Sequence, residues 1–556
     1  MCKLCDAGFR QNHFGSRRNF LKGAAATGIA SAGGLKLFAP RPAAADAGGL
    51  PNGTGMPGRR YVLRGGSVMS MDPQVGNFAQ GDVLIEGNKI LDVGPNLNGG
   101  GAAVIDVSGR IVMPGFIDTH HHQFETVLRS FLADGVLIND GSNSPSGSTT
   151  YYEYILLKFA PVYRPQDVYI NELFAGLSQL DDGVTTVHDV SQIHHTPKHS
   201  DAAIQALIDT GRRAAFGYFE GAGEGVVVNT PGYAYPQDAT RIINKWFGGK
   251  NVNLSSNGLV HMIMGGEVYL GDASTEASWT IGRQLGLQIA AHILSPFGIT
   301  PILDALAQGQ GGSNHDIGIK GDNLFIHMTG QSDMGWKAVQ KAGAQVSIAF
   351  PIEMNMRHGI PPIIKMQQLA MAAGTPFEPS LSVDVECTMT ADFFTQMRVA
   401  MNLQRMVANQ LILEQNTATK IETANDSFYP PNQWPTPTTQ PPLLTTRDVL
   451  RYATMNGAKA LRLDNKVGSL TKGKEADIII LDATAINVAP LNQVPGAVVS
   501  LMDRTNVESV IVAGKVRKWK GQLLDVNLDK LRKQLEDSRD YVFKAAGVPQ
   551  NLFSSQ

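Results

Sequence analysis

Between residues 114 and 446, short aliphatic runs alternate with stretches of helical period, and no other feature limits the possible folds as strongly. The runs are "GVTTVHDV", "RAAFGYFE", "LVHMIMGG", "LQIAAHIL", "LFIHMTG", "QVSIAFP" and "PSLSVDVE". Runs of this kind are buried on both faces, and buried strands separated by helices imply a parallel sheet. Seven or eight such units over about 330 residues suit a closed barrel better than an open doubly wound sheet, partly because no Gly-rich phosphate-binding turn follows the first strand. The predicted fold class is α/β, a (β/α)8 TIM-like barrel over 114–446, with the polar, Pro-rich segment 416–442 as a long loop.

The two ends have another texture. Over 59–113, "YVLRGGSVMSMD", "GDVLIEGNKILDVGP" and "AAVIDVSGRIVMPG" alternate apolar and polar residues between Gly, Asn and Asp turns, the pattern of antiparallel strands with one wet face. The segment 447–525 carries the last barrel helix, in "TTRDVLRYATMNGAKALRL", and then the same strand pattern in "GKEADIIILD" and "VESVIVAGKVRKWKG". One small β-sandwich domain built from both ends of the chain is expected. The remainder, 526–556, holds an amphipathic helix with a solvated charged face.

Lys plus Arg (47) and Asp plus Glu (49) nearly cancel, for a formal charge of -2. No global basic field exists to attract nucleic acid, and a small-molecule substrate fits better. Residues 1–45 follow a separate logic: Arg17 and Arg18 precede Phe20, Leu21 and Lys22, then a weakly apolar Ala/Gly segment and Ala43-Ala44-Ala45. This resembles a twin-arginine export signal. It implies export machinery as a partner, a periplasmic or extracellular location and no stable membrane span after processing, since the apolar part is short of the roughly 20 residues a span needs. Cys2 and Cys5 would leave with the signal, so Cys387 would have no partner for a disulfide. The subunit count is left open, a homo-oligomer included.

Barrel enzymes place reactive residues at the carboxyl ends of strands. His120 and His122 end "GRIVMPGFID", His292 ends "LQIAA", His327 ends "LFI" and Asp384 ends "PSLSV". Side chains two apart on a strand share a face, so His120 and His122 point one way and His121 the other. Three histidines and a carboxylate form a ligand set suited to zinc or iron with a position open for water, whose pKa such an ion lowers to about 7.

In this order, "VMPGFIDTHHH", "AAHI", "FIHM", "LSVDV", "ATMNGAKAL" and "VGSLTKGKEADIIILD" resemble the amidohydrolase superfamily, in the branch of triazine hydrolases, cytosine deaminases and guanine or 8-oxoguanine deaminases. The resemblance implies that His120, His122, His292 and Asp384 bind one divalent ion, zinc with iron as the alternative. His327 would orient the hydroxide and polarise the substrate, and Asp384 would take the water's proton. One position departs from the branch: the proton-shuttling glutamate three residues after the strand-five histidine is Ser295 here, and serine does not titrate near neutral pH. Glu267, Glu353 and Glu386 are the candidate substitutes. Lysine is absent from "LVHMIMGG", which favours one metal over two, with Glu267 as the bridging ligand of the two-metal alternative.

Ser295, Glu353 and His195 are the candidate substrate contacts. His188 and His194 share the pocket-lining expectation with His195, His199 less so, while His261 reads as a core histidine and Asp189 as a partner for one of the imidazoles. The expected function is metal-dependent hydrolysis of a non-peptide C–N bond in a small cyclic or heteroaromatic compound. The alternatives are an amide, carbamate or urea hydrolase and a non-catalytic metal-binding protein on the same frame.

Overall fold

The computed structural model describes residues 49–138, 150–221, 235–268, 272–294, 300–308, 317–418 and 441–553. The export-like segment, Ser295 and most of the Pro-rich loop lie outside them, and the residues from Leu50 onward form one compact unit.

Two sheets share the work. Strands β1 (Arg60–Met69), β2 (Asn77–Glu86), β3 (Lys89–Gly94), β4 (Ala103–Asp106) and β5 (Arg110–Pro114) come before the barrel. The barrel is β6 (Phe116–His121), β7 (Val184–Ser191), β8 (Arg213–Tyr218), β9 (Val260–Gly265), β10 (Ile289–Ile293), β11 (Asn323–His327), β12 (Gln345–Ile348) and β13 (Ser380–Leu381). Strands β14 (Ile478–Asp482), β15 (Val507–Val512), β16 (Lys515–Trp519) and β17 (Gln522–Leu523) return to the first sheet.

The eight barrel strands pair in sequence order, all parallel, as the aliphatic runs require. Closure between β13 and β6 rests on a single bridge between His121 and Asp384, where the Asp384 amide donates to the His120 carbonyl at 2.9 Å and the His122 amide to the Asp384 carbonyl at 2.8 Å. Next to it the Thr119 hydroxyl contacts the Ser347 and Ser380 hydroxyls at 2.7 and 2.8 Å and the Leu381 carbonyl at 3.0 Å. The barrel is thus nearly closed, and its seam runs through the histidine triplet.

The other end is plugged. Helix Gly457–Ala460 and Leu461, Leu463 and Val467 pack with Ile117, Ala215, Ala290 and Leu324 in one buried cluster, and Gln288, just ahead of β10, donates through Nε2 to the Ala460 carbonyl at 2.7 Å. A Cβ on Gly457 would come within 2.8 Å of the Ile117 Cβ, so only glycine lets the plug approach this closely.

The outer sheet corrects one expectation. It is one hydrogen-bonded path of nine strands, β17-β16-β15-β14-β5-β1-β2-β3 with β4 attached to β1, in mixed rather than wholly antiparallel orientation. Strand β1 runs parallel to both β4 and β5, with register shifts after Arg64 and Gly66 that let one strand serve two partners. Wet-face alternation identifies strands but not their direction, which depends on connections the pattern does not encode. The apolar run "GRIVMPGFID" also divides: β5 ends at Pro114 in the outer sheet and β6 starts at Phe116 in the barrel. Between them Gly115 donates to the Asp477 carbonyl, and a Cβ there would meet the Thr185 side chain at 2.2 Å.

Candidate active site

The five residues singled out at strand ends meet. Ligand-type atoms of His120, His122 and His292 all lie within 4.8 Å of one another, as do those of His120, His327 and Asp384. His120 Nε2 stands 3.0 Å from Asp384 Oδ1 and 3.3 Å from His292 Nε2; His122 Nε2 is 3.6 Å from Asp384 Oδ1, and His327 Nε2 3.6 Å from Asp384 Oδ2. All five side chains are buried. Backbone strain accompanies the convergence: His327, Met328 and Asp384 have φ of 70, 57 and 68°, a region that costs a non-glycine residue about 1–3 kcal/mol and persists where the surroundings over-determine it.

Electrostatics sets the protonation states that a cation needs. Burial drives the pKa values of His120 and His122 well below the ordinary imidazole value, so both rings present bare nitrogens. Burial alone would raise Asp384, but His120, His327 and His122 outweigh it and hold the carboxyl well below its usual range. Burial also opposes charging of His292; the Glu267 carboxylate reverses that and raises its pKa. A buried anion beside the His120, His122 and His327 rings that burial keeps neutral, with Asp384 Oδ2 lacking a hydrogen-bond partner, is a donor set that fits a divalent ion of the zinc or iron kind.

Buried carboxylates orient the outer nitrogens. Glu267 receives His292 Nδ1 on Oε1 and the His292 amide on Oε2 at 2.9 Å. Glu353 Oε1 accepts from the Ala349 amide at 3.1 Å and lies 3.0 Å from His327 Nδ1, a contact that holds the imidazole with Nε2 facing Asp384. Glu386 is taken by Arg129 in a two-pronged pair. Both oxygens of Glu267 and Glu386 and Oε1 of Glu353 are thus engaged, and none of the three candidate substitutes for the missing glutamate lines the described cavity. Glu353 is not a substrate contact, and Glu267 is spent on His292 rather than bridging two ions.

His195 needs the same correction. Its Nε2 lies 2.9 Å from the Ala160 carbonyl and it does not line the cavity beside the cluster. His188 within β7, His194 in the loop after it and His199 in the first turn of the helix Pro197–Thr210 are likewise tied to the carbonyls of Thr119, Ser191 and Tyr163. His121 turns away from the cluster as expected, buried between Asp118 and Glu386. Asp189 sits with Glu172 and Arg212 rather than with an imidazole. His261 lies within β9, where burial lowers its pKa to about 3, as befits a core residue.

Among the described residues the cavity, about 500 Å³ with its mouth, is bounded by His122, His292, His327 and Asp384 on one side and mainly by aliphatic and tyrosine side chains on the other. Gln192, His358 and Tyr151 in its wall went unrecognised in the sequence. Gln192 directly follows β7, a position the strand-end rule could have flagged, whereas His358 lies ten residues beyond β12 and carries no local signal.

A profile described as "Amidohydrolase family" matches residues 437–517. A 5'-deoxyadenosine deaminase of Methanosarcina acetivorans is 25% identical over 470 residues, covering 82% of this chain and 92% of its own. A 5-methylthioadenosine/S-adenosylhomocysteine deaminase of Symbiobacterium thermophilum is 23% identical over 480 residues, covering 82% and 93%. Among solved structures, a zinc-bound adenosine deaminase from Xanthomonas campestris superposes with a TM-score of 0.67 at 19% identity, covering 88% of this chain and 99% of its own. Atrazine chlorohydrolase TrzN from Arthrobacter aurescens TC1, complexed with zinc, gives 0.67 at 19%, covering 86% and 100%. The barrel with its mixed outer sheet is the fold of these solved structures, and the profile and the curated matches make the chain similar to amidohydrolases and deaminases.

Proposed function

We propose that the protein is a metal-dependent hydrolase that cleaves a non-peptide C–N bond of a small heteroaromatic compound. The observation that carries this reading is the pair of buried clusters that share His120, one with His122 and His292 and the other with His327 and Asp384. His120, His122, His292 and Asp384 would hold one divalent ion, zinc by analogy with the solved relatives. When bound, such an ion lowers the pKa of its water to about 7 and polarises the group under attack.

The chain's own residues do the rest. Asp384, held ionised and with Oδ2 unpartnered, takes the proton of the attacking water. His327 Nε2, 3.6 Å from that oxygen and aimed by Glu353, accepts a hydrogen bond from the same water and fixes its line of approach. The aliphatic wall limits competing water and strengthens these interactions.

A second reading, hydrolysis of an exocyclic amide, carbamate or urea, is favoured by one observation: apart from Asp384, no carboxylate lines the described cavity. Such substrates need no separate proton shuttle to a ring nitrogen. Zinc-loaded protein incubated with aminated heterocycles and with heterocycles bearing an exocyclic N-substituted amide decides between the two. Ammonia release supports the first reading and amine with carboxylate the second; no turnover of either class by protein with full zinc content defeats both. Export by the twin-arginine route is proposed from the sequence alone, and its test is whether residues 1–45 carry a folded reporter to the periplasm. Among the described residues no helix is long and apolar enough to cross a membrane.

A further inference from the structure

Two polar side chains in the cavity wall have no hydrogen-bond partner among the described residues. Gln192 follows β7, and His358 lies beyond β12 and the short helix Phe350–Asn355. In the strand order β7 adjoins β6 and β12 adjoins β13, so the two positions flank, from either side, the seam that carries His120 and Asp384. Gln192 is 6% exposed and His358 4%. Gln192 Oε1 and both ring nitrogens of His358 are unpartnered, and the His358 ring stands edge-on to His327 with centroids 4.8 Å apart. Buried polar atoms without partners are rare in folded proteins. Three of them on the wall of one cavity mark where the polar edges of a ligand belong.

We propose that Gln192 and His358 clamp the substrate by hydrogen bonds from two sides, and that this substrate is an uncharged, flat ring compound with small apolar substituents in place of a sugar. The inference deepens the hydrolase reading of this site and rests on it. A neutral imidazole donates through one nitrogen and accepts through the other, and a carboxamide does both, so the pair suits a ring edge that alternates N and N–H groups. Outside the ligand cluster the described wall offers no charged partner, and Leu137, Leu156, Leu294, Met356 and Val385 face the remaining space. The hydroxyls of a ribose would lose their water against these side chains and gain nothing in return. Tyr151 and Tyr152 supply aromatic surface for a flat ring.

The test is equilibrium binding of 9-ethyladenine, an N-alkylated triazine and adenosine to the zinc-loaded full chain, with turnover of each followed in parallel. Wild-type protein is expected to bind the alkylated rings about ten-fold or more tightly than adenosine. His358→Leu and Gln192→Leu are expected to weaken the alkylated rings about ten-fold or more, with zinc content and melting temperature unchanged. Where a Leu variant loses zinc or melts early, Gln192→Glu decides, since it keeps the size of the side chain while replacing the amide donor with a charge, and it must lower ring affinity by a similar factor. Unchanged affinity in the variants, tighter binding of adenosine, or no binding of any ring overturns the clamp. Ring binding without turnover sinks the hydrolase reading and leaves the clamp standing; turnover with unaltered variants does the reverse.

Discussion

The backbone amide of Asp384 donates to the carbonyl of His120 at 2.9 Å, and the side chains of the same two residues face each other at 3.0 Å, Oδ1 to Nε2. Residues 264 positions apart thus close the barrel and set two of the four proposed ligands with one contact. The distance between them is a property of the whole barrel rather than of a flexible loop, which is how a ligand set gains the rigidity that affinity and catalysis require.

Asp384→Asn keeps the shape of this residue and its backbone bonds while removing the charge and the proton acceptor. Metal affinity is expected to fall, and the rate at saturating metal to drop by about 10²–10⁴-fold, the range for loss of a general base. Metal analysis with single-turnover rates checks this. A variant that retains metal and loses less than ten-fold in rate removes Asp384 from the base role.

Glu267 and Glu353 make parallel hydrogen bonds with different dependents. Glu267 orients His292, a proposed ligand, so Glu267→Gln is expected to weaken metal binding by about 10–100-fold. Glu353 orients His327, which holds the water, so Glu353→Gln is expected to lower kcat while metal content stays full. Chelator competition and steady-state kinetics on the two variants separate these outcomes, and the assignment fails if both behave alike.

Much of this site was legible because strand ends are marked locally: an aliphatic run followed at once by His or Asp gives the position and, through two-residue periodicity, the direction of the side chain. His120, His122, His292, His327 and Asp384 all carry that mark. Glu267 and Glu353 were visible as acids near strand ends, but not as partners of His292 and His327, since that depends on neighbouring strands at a register no local pattern sets. His195 misled for the opposite reason. A histidine after a strand has the same local signature whether it faces the barrel axis or, as here, an adjacent carbonyl. The parallel pairing of β1 with β4 and β5 was hidden in the same way, for a strand buried by two partners alternates like a strand with one.

Arg213 opens β8 and lies buried against Asp477, just ahead of β14, at 3.0 and 3.1 Å, with Glu475 at 2.8 Å. Asp477 also receives the Ala513 amide on Oδ1 at 2.7 Å and the Gly115 amide on its carbonyl, so one residue ties the barrel to the outer sheet. Asp477→Ala leaves the buried guanidinium with Glu475 alone of its two carboxylates and is expected to cost about 3 kcal/mol. Asp477→Asn, which can still accept hydrogen bonds, is expected to cost less. Denaturant unfolding measures both, and a loss under about 1 kcal/mol for the alanine variant would show the pair to be dispensable.

Glu125, three residues past His122, is fully buried and accepts the Tyr151 hydroxyl at 2.6 Å on Oε1, while Oε2 has no partner. Burial pushes its carboxyl up from 4.5 to about 8, against the lowering effect of the Tyr151 bond. Between those values the folded protein keeps a proton that the unfolded chain has released. The contribution of Glu125 to stability is therefore expected to fall as pH rises from about 4.5 to about 8 and to level off beyond. Glu125→Gln keeps an oxygen for Tyr151 and never ionises, so it should lack this contribution, and its stability relative to the wild type should rise between pH 5 and pH 8.5 by at most about 5 kcal/mol. Urea unfolding of both proteins at pH 5 and pH 8.5 tests the point. If the difference between them is the same at the two pH values, Glu125 is ionised in the folded state and the protein must stabilise that charge through groups other than Tyr151.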